Sequence, residues 1–172
     1  IEWPKHFNDC FSIEDNGIGM TSDEFQYRWY HLNYNRGREQ GQEIQYPSGN
    51  RISQRKAFGK NGKGRFSVFC FCDEYRIETW KDGTSSIFLV KRTLADRTKP
   101  YDIIFEKKFL KQGHGTILTA RIERNFIGIE IVKTLLWSKF VADPAVEIYV
   151  NSKKIDLISF GEQLETRSVE TK

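Results

Sequence analysis

Ile13-Glu14-Asp15-Asn16-Gly17-Ile18-Gly19-Met20 is the stretch on which the reading of this chain turns. Cys10 to Glu14 alternates like a strand, and Asp15-Asn16-Gly17 supplies the turn that ends it. A carboxylate at the end of a strand, followed by Gly-x-Gly, sets an acceptor beside backbone that a flat ligand can approach closely. Met20 adds a polarizable apolar surface suited to an aromatic face. A buried, ionised Asp15 is well placed to accept a hydrogen bond from an exocyclic amine such as that of adenine. An ordinary Asp-Asn-Gly turn would carry the same letters, so the octapeptide alone leaves both readings open.

Downstream, Thr21-Ser22-Asp23-Glu24 predicts a helix start with a capping box, and Phe25, Trp29 and Leu32 its buried face. From Asn33 to Asn61 the chain is polar and poor in aliphatic residues, which predicts a long binding loop or lid. Gly59-Lys60-Asn61-Gly62-Lys63-Gly64-Arg65 follows, and its glycines let successive amides point into one concavity that suits phosphate. No Lys-Ser/Thr follows the last glycine, so this is not a Walker A loop. Phe66 to Cys72 is apolar nearly all round and reads either as a strand or, after such a loop, as a buried helix. Tyr75 to Trp80 and Ser86 to Val90 flank an Asp82-Gly83 turn and form a hairpin. Tyr101 to Phe105 and Thr116 to Ile122 read as strands. Ile127 to Phe140 is a helix whose stripe is Ile127, Ile131, Leu135, Leu136 and Phe140. Val146 to Val150 and Lys154 to Leu157 flank a last turn at Asn151-Ser152. Gly113-His114-Gly115-Thr116 leads into a strand, and His114 reads as a turn residue.

The 172 residues suffice for one domain, expected over residues 1–160, with a frayed tail over 161–172. With 38% apolar and 29% charged residues, including 13 Phe, 7 Tyr and 4 Trp, the composition excludes a disordered tail. No apolar run is long enough to cross a bilayer and no leader pattern opens the chain. Three cysteines, Cys10, Cys70 and Cys72, fit buried reduced thiols of a cytoplasmic protein better than disulfides or zinc. The formal charge is +4, yet Arg51, Arg55, Lys56, Lys60, Lys63 and Arg65 lie in one stretch without an acid. The positive excess therefore belongs to that segment, and it attracts phosphate of a nucleotide or of a nucleic acid.

Taken in order, Asp-x-Gly-x-Gly, a long lid, a glycine-rich loop before a buried segment, and Gly-Thr at a strand start resemble the GHKL ATPases. That superfamily takes in DNA gyrase B, heat-shock chaperones, histidine kinases and MutL. The resemblance spans about Phe11 to Leu157, and Phe140 to Val150 looks nearer the chaperone and MutL branch than the kinases. It implies the Bergerat fold: an α+β two-layer sandwich, with a mostly antiparallel mixed sheet and helices on one face. It implies that Asp15 holds the adenine amine, that Gly17, Gly19 and Met20 line the base pocket, and that Thr116 assists Asp15. It likewise implies that Gly59, Gly62 and Gly64, with the backbone of Lys60, Asn61, Lys63 and Arg65, hold the phosphates, with ATP and Mg²⁺ as ligands. Lid closure would then be coupled to a client protein or to homodimerisation.

The superfamily's glutamate, which activates water, and its magnesium-binding asparagine lie on a helix before the aspartate strand. Glu2 and Asn8 are no substitute, because Trp3-Pro4 and Phe7-Asp9 interrupt any helix there. Ile1 reads as an interior position, so that helix is expected upstream and no catalytic residue is assigned within this chain. Two other readings remain: a scaffold that binds nucleotide without cleaving it, and a nucleic-acid module built on residues 51–65 with Tyr27, Trp29, Tyr30 and Tyr34.

Overall fold

A computed structural model describes residues 1–31, 41, 43–48, 51–56, 63–93, 100–140 and 146–155. Its centre is a five-stranded sheet in the order β1-β7-β4-β5-β6. The strands are β1 (Cys10–Asp15), β4 (Glu74–Lys81), β5 (Thr84–Arg92), β6 (Tyr101–Leu110) and β7 (Gly115–Arg121). Every pairing in this sheet is antiparallel, so the expected mixed sheet shows no parallel pair among the described residues. Residues 1–9 form no helix; Glu2 instead bridges Ser12 on β1.

The register lines up three rows of side chains on one face. Phe11, Ala120, Tyr75 and Val90 form the first, and Ile13, Leu118, Ile77 and Phe88 the second. These rows carry the core, except at Ile13 on the edge strand β1, which is exposed. Helix α1 (Ser22–Tyr30) lays Phe25 and Trp29 on them, with the Phe25 ring stacked 4.2 Å from Phe88 and 4.3 Å from Trp29. Its capping box forms as the sequence predicts: Thr21 Oγ1 accepts from the Glu24 amide at 3.2 Å and Glu24 accepts from the Thr21 amide at 2.8 Å. The segment after the glycine-rich loop is a 3₁₀ helix, Lys63–Cys70, which resolves the strand-or-helix alternative. It is not buried all round, since Val68 and Cys72 are in the core while Ser67 and Cys70 face solvent. Phe69 meets Tyr75 edge-on at 5.3 Å and Phe66 lies 4.9 Å from Tyr101.

Helix α2 (Ile129–Phe140) sits where a helix was expected, and three of the five expected stripe residues, Ile127, Leu136 and Phe140, pack against the core. Val132 is buried and Ile129, Leu136 and Phe140 pack against the core, whereas Ile131 and Leu135 are more than half exposed. Ile131 lies one residue, about 100°, round the helix from Val132, so these two apolar side chains fall on different faces. The Asp82-Gly83 turn has both residues at positive φ, 52° and 75°, as a tight type I′ hairpin requires. Asn151 and Ser152, at 50° and 62°, close a short hairpin of β8 (Tyr149–Val150) and β9 (Lys153–Lys154).

The polar stretch after α1 is not without structure. It contains a separate hairpin of β2 (Glu43–Ser48) and β3 (Arg51–Lys56), paired only with one another among the described residues. Gly49-Asn50 between Ile44, Tyr46 and Ile52 is the turn signal that would have found it.

Candidate nucleotide-binding site

The third row on the helix-covered face is polar: Asp15, Thr116, Thr79 and Ser86 follow one another across β1, β7, β4 and β5. Thr79 and Ser86 are buried, at 0% and 3% exposure. A row of hydroxyls and a carboxylate, beside two rows of aromatic and aliphatic residues, marks that end of the sheet as the candidate site.

The loop after Asp15 is shaped by close approach. The Asp15 carboxylate does not lie buried as expected; it is exposed, and its Oδ1 accepts from the Gly17 amide at 2.8 Å. A carboxylate has about four lone-pair positions, so this bond does not exhaust its capacity to accept from an amine. Gly19, at φ 67°, lies so near β4 that an added Cβ would stand 2.0 Å from the Trp80 carbonyl oxygen. Gly115 is similarly confined, since a Cβ would meet the Trp80 ring at 2.6 Å and the Asp15 carbonyl at 2.8 Å. Met20 is buried, and its amide donates to Thr79 Oγ1 at 2.9 Å. His114 is more than a turn residue: its Nδ1 lies 2.8 Å from the Gly17 carbonyl oxygen and ties the β6–β7 turn to the glycine loop.

Five of the residues singled out in the sequence, Asp15, Gly17, Gly19, Met20 and Thr116, thus come together. Thr79 was not among them. One threonine in the run Ile77-Glu78-Thr79-Trp80 carries no sequence signal, and only its register partner Thr116 gives it meaning. Gly59, Lys60, Asn61 and Gly62 lie outside the described residues, as does Leu32, which was expected on the buried face of α1. Lys63 and Gly64 open the 3₁₀ helix. Arg65 turns its guanidinium to the His31 carbonyl, donating at 2.7 Å, and lays it over the rings of Trp29 and Phe66. Trp29 is itself buried against Phe25 and donates to the Tyr75 hydroxyl, so it adds nothing to a stacking surface for nucleic acid. Tyr27 and Tyr30 remain about half exposed, and Tyr34 lies outside the described residues.

An antiparallel sheet covered on one face by helices, with an Asp-x-Gly-x-Gly loop at its polar row, defines the GHKL ATPase class. The family model for "Histidine kinase-, DNA gyrase B-, and HSP90-like ATPase" matches residues 1–116, and the chain belongs to that family. Among solved structures it is similar to the ATPase region of Saccharomyces cerevisiae topoisomerase II, at 14% identity and a TM-score of 0.52 over 87% of this chain. It is also similar to the ATPase and transducer domains of DNA topoisomerase II from Balamuthia mandrillaris, at 14% identity and a TM-score of 0.51 over 86%. The chain spans 40% of the length of each of these structures. Neither match favours the chaperone and MutL branch over the others. No curated protein matches the chain significantly in sequence.

Proposed function

We propose that this chain is the ATP-binding part of a GHKL ATPase. Adenine would rest on the Gly17 to Met20 loop, with its amine donating to Asp15 beside Thr116. The phosphates would meet the amides of Gly59 to Arg65, where the local run of cations favours polyanionic ligands. The observation that carries this reading is the register pairing of Asp15 with Thr116 in a polar row that ends against a loop of bare backbone.

Magnesium would arrive with the triphosphate. Phosphate oxygens supply much of the coordination of a nucleotide-bound magnesium, beside the asparagine that the family resemblance places on an upstream helix. Bound there, the ion would neutralise charge on the phosphates during hydrolysis. No residue of this chain is assigned as the general base, and turnover is proposed for the intact protein only. Movement of the segment over residues 33–61 would couple nucleotide state to a client or to a second copy. Among the described residues no helix is long and apolar enough to cross a membrane. A cytoplasmic setting is proposed on the cysteine usage.

Titration calorimetry with a non-hydrolysable ATP analogue, comparing the chain with its Asp15→Asn variant, tests the assignment. Asparagine has one acceptor oxygen where aspartate has two. If that oxygen keeps the Gly17 amide, an NH₂ donor faces the adenine amine. The expected result is saturable binding that Asp15→Asn abolishes with the circular dichroism unchanged. Equal affinity for both chains would overturn it.

A further inference from the structure

We propose that Thr79 is a positioning residue for the adenine end of the pocket, acting through Met20 and Thr116 without itself touching the base. The inference rests on the ATP-binding reading and extends it to a residue one strand further into the sheet.

The Thr79 side chain is fully buried, and everything its hydroxyl meets belongs to Met20 at the end of the glycine loop or to Gly115 and Thr116 at the start of β7. Its oxygen accepts from the Met20 amide at 2.9 Å. Gly115 O stands 3.3 Å away, Thr116 Oγ1 3.4 Å and Met20 O 3.5 Å. One hydroxyl has one proton and two lone pairs. The Met20 amide fills one lone pair, and the proton serves a single acceptor at a time. Thr116 can fill the second lone pair, which orients its own hydroxyl beside Asp15. One oxygen thus fixes the height of the Met20 loop over the sheet and the rotamer of Thr116 together.

Removing that oxygen while keeping the shape leaves the Met20 amide buried without its acceptor and frees Thr116 to rotate. Both changes fall at the base end of the ligand and neither at the phosphates. Adenosine and ATP should therefore lose affinity by the same factor. Loss of fold alone would instead lower the fraction of competent protein and leave the affinity of the remainder unaltered.

The experiment measures ATP-analogue and adenosine affinity by calorimetry for the wild-type chain, Thr79→Val and Thr79→Ser, well below each melting temperature. Thr79→Val should weaken both ligands by about tenfold, the worth of one good buried hydrogen bond. Thr79→Ser, which restores the hydroxyl, should return both to within about threefold of wild type, on the same scale. Should Thr79→Val fail to fold, Thr79→Ala against Thr79→Ser gives the same comparison, with the alanine expected to be the weaker. Wild-type binding with a folded hydroxyl-free variant unchanged, or a serine that does not rescue, overturns this inference and leaves the ATP reading standing. A wild-type chain that binds neither ligand overturns both.

Discussion

The guanidinium of Arg65 is fastened to the carbonyl of His31 at 2.7 Å, so the residue that closes α1 is held by the residue near the head of the 3₁₀ helix. The joint is braced from below. The Tyr75 hydroxyl donates to the Arg65 carbonyl at 3.0 Å and accepts from Trp29 Nε1 at 3.1 Å, while the Tyr101 hydroxyl donates to the Trp29 carbonyl. Arg65 thus draws together the two ends of the segment between α1 and the 3₁₀ helix, and its charge also rests on Trp29, 5.4 Å from the ring centroid. Arg65→Met keeps the apolar stem and loses the fork and the charge. It should cost about 1–3 kcal/mol in urea unfolding, from one charged hydrogen bond and the ring contacts. A cost below about 0.5 kcal/mol, the ordinary range of a surface substitution, would contradict the joint.

The two glycines of the Asp-x-Gly-x-Gly loop should separate under substitution. At Gly19 an added Cβ faces rigid backbone, the Trp80 carbonyl oxygen, at 2.0 Å, and the residue already has a positive φ. Gly19→Ala should therefore unfold the chain or cost more than about 3 kcal/mol. At Gly17 the Cβ meets only the Asp15 carboxylate, at 2.7 Å. A side chain can swing away, so Gly17→Ala should keep the melting temperature within a few degrees yet weaken ATP binding. Thermal melts paired with calorimetry read both effects. Equal destabilisation by the two alanines would contradict the assignment of separate tasks.

Glu24 links α1 to the sheet and should make the fold sensitive to acid. Burial acts to raise its pKa. The Lys81 ammonium at 2.9 Å, the Thr21 amide and the more distant Arg28 outweigh that, and hold the carboxyl below the ordinary glutamate value. A depressed pKa in the fold contributes stability above the unfolded value, and that contribution is lost as pH falls through the folded one. Wild type should exceed Glu24→Gln in stability at pH 7, and the gap should close as pH drops from about 5 toward 3. A gap that is constant with pH would remove Glu24 from the acid response.

Much of this architecture is legible in the chain because its signals are local. Thr21 and Glu24 cap a helix by chemistry confined to four residues, and Asp82-Gly83 makes a turn that few other dipeptides make. The rows across the sheet are not local. Nothing near Thr79 says that it faces Thr116, and Asp15 is read as buried until its place on the edge strand β1 is known. Helix α2 was found with part of its buried stripe, Leu136 and Phe140, but Val132 took the place expected of Ile131, since the two are equally apolar and only packing chooses between them. The hairpin β2–β3 was missed because a polar stretch reads as loop when neither strand offers a continuous apolar face.

The three cysteines differ in a way the sequence did not foresee. Cys10 and Cys70 are exposed, whereas Cys72 is fully buried. Burial, with Glu123 nearby, pushes the Cys72 thiol up to about 11, and its sulfur donates weakly to the Val68 carbonyl. At pH 8 about one Cys72 side chain in a thousand would then be thiolate, the form that reacts. Iodoacetamide on the native chain should add two carbamidomethyl groups, at Cys10 and Cys70, by mass spectrometry of the intact protein and its peptides. The third should appear only in denaturant, or slowly at a rate set by opening of the core around Tyr75 and Val68. If Cys72 is alkylated as fast as Cys70, the segment following the 3₁₀ helix is not packed against the sheet as described. The clasp through Arg65, which depends on that packing, would fall with it.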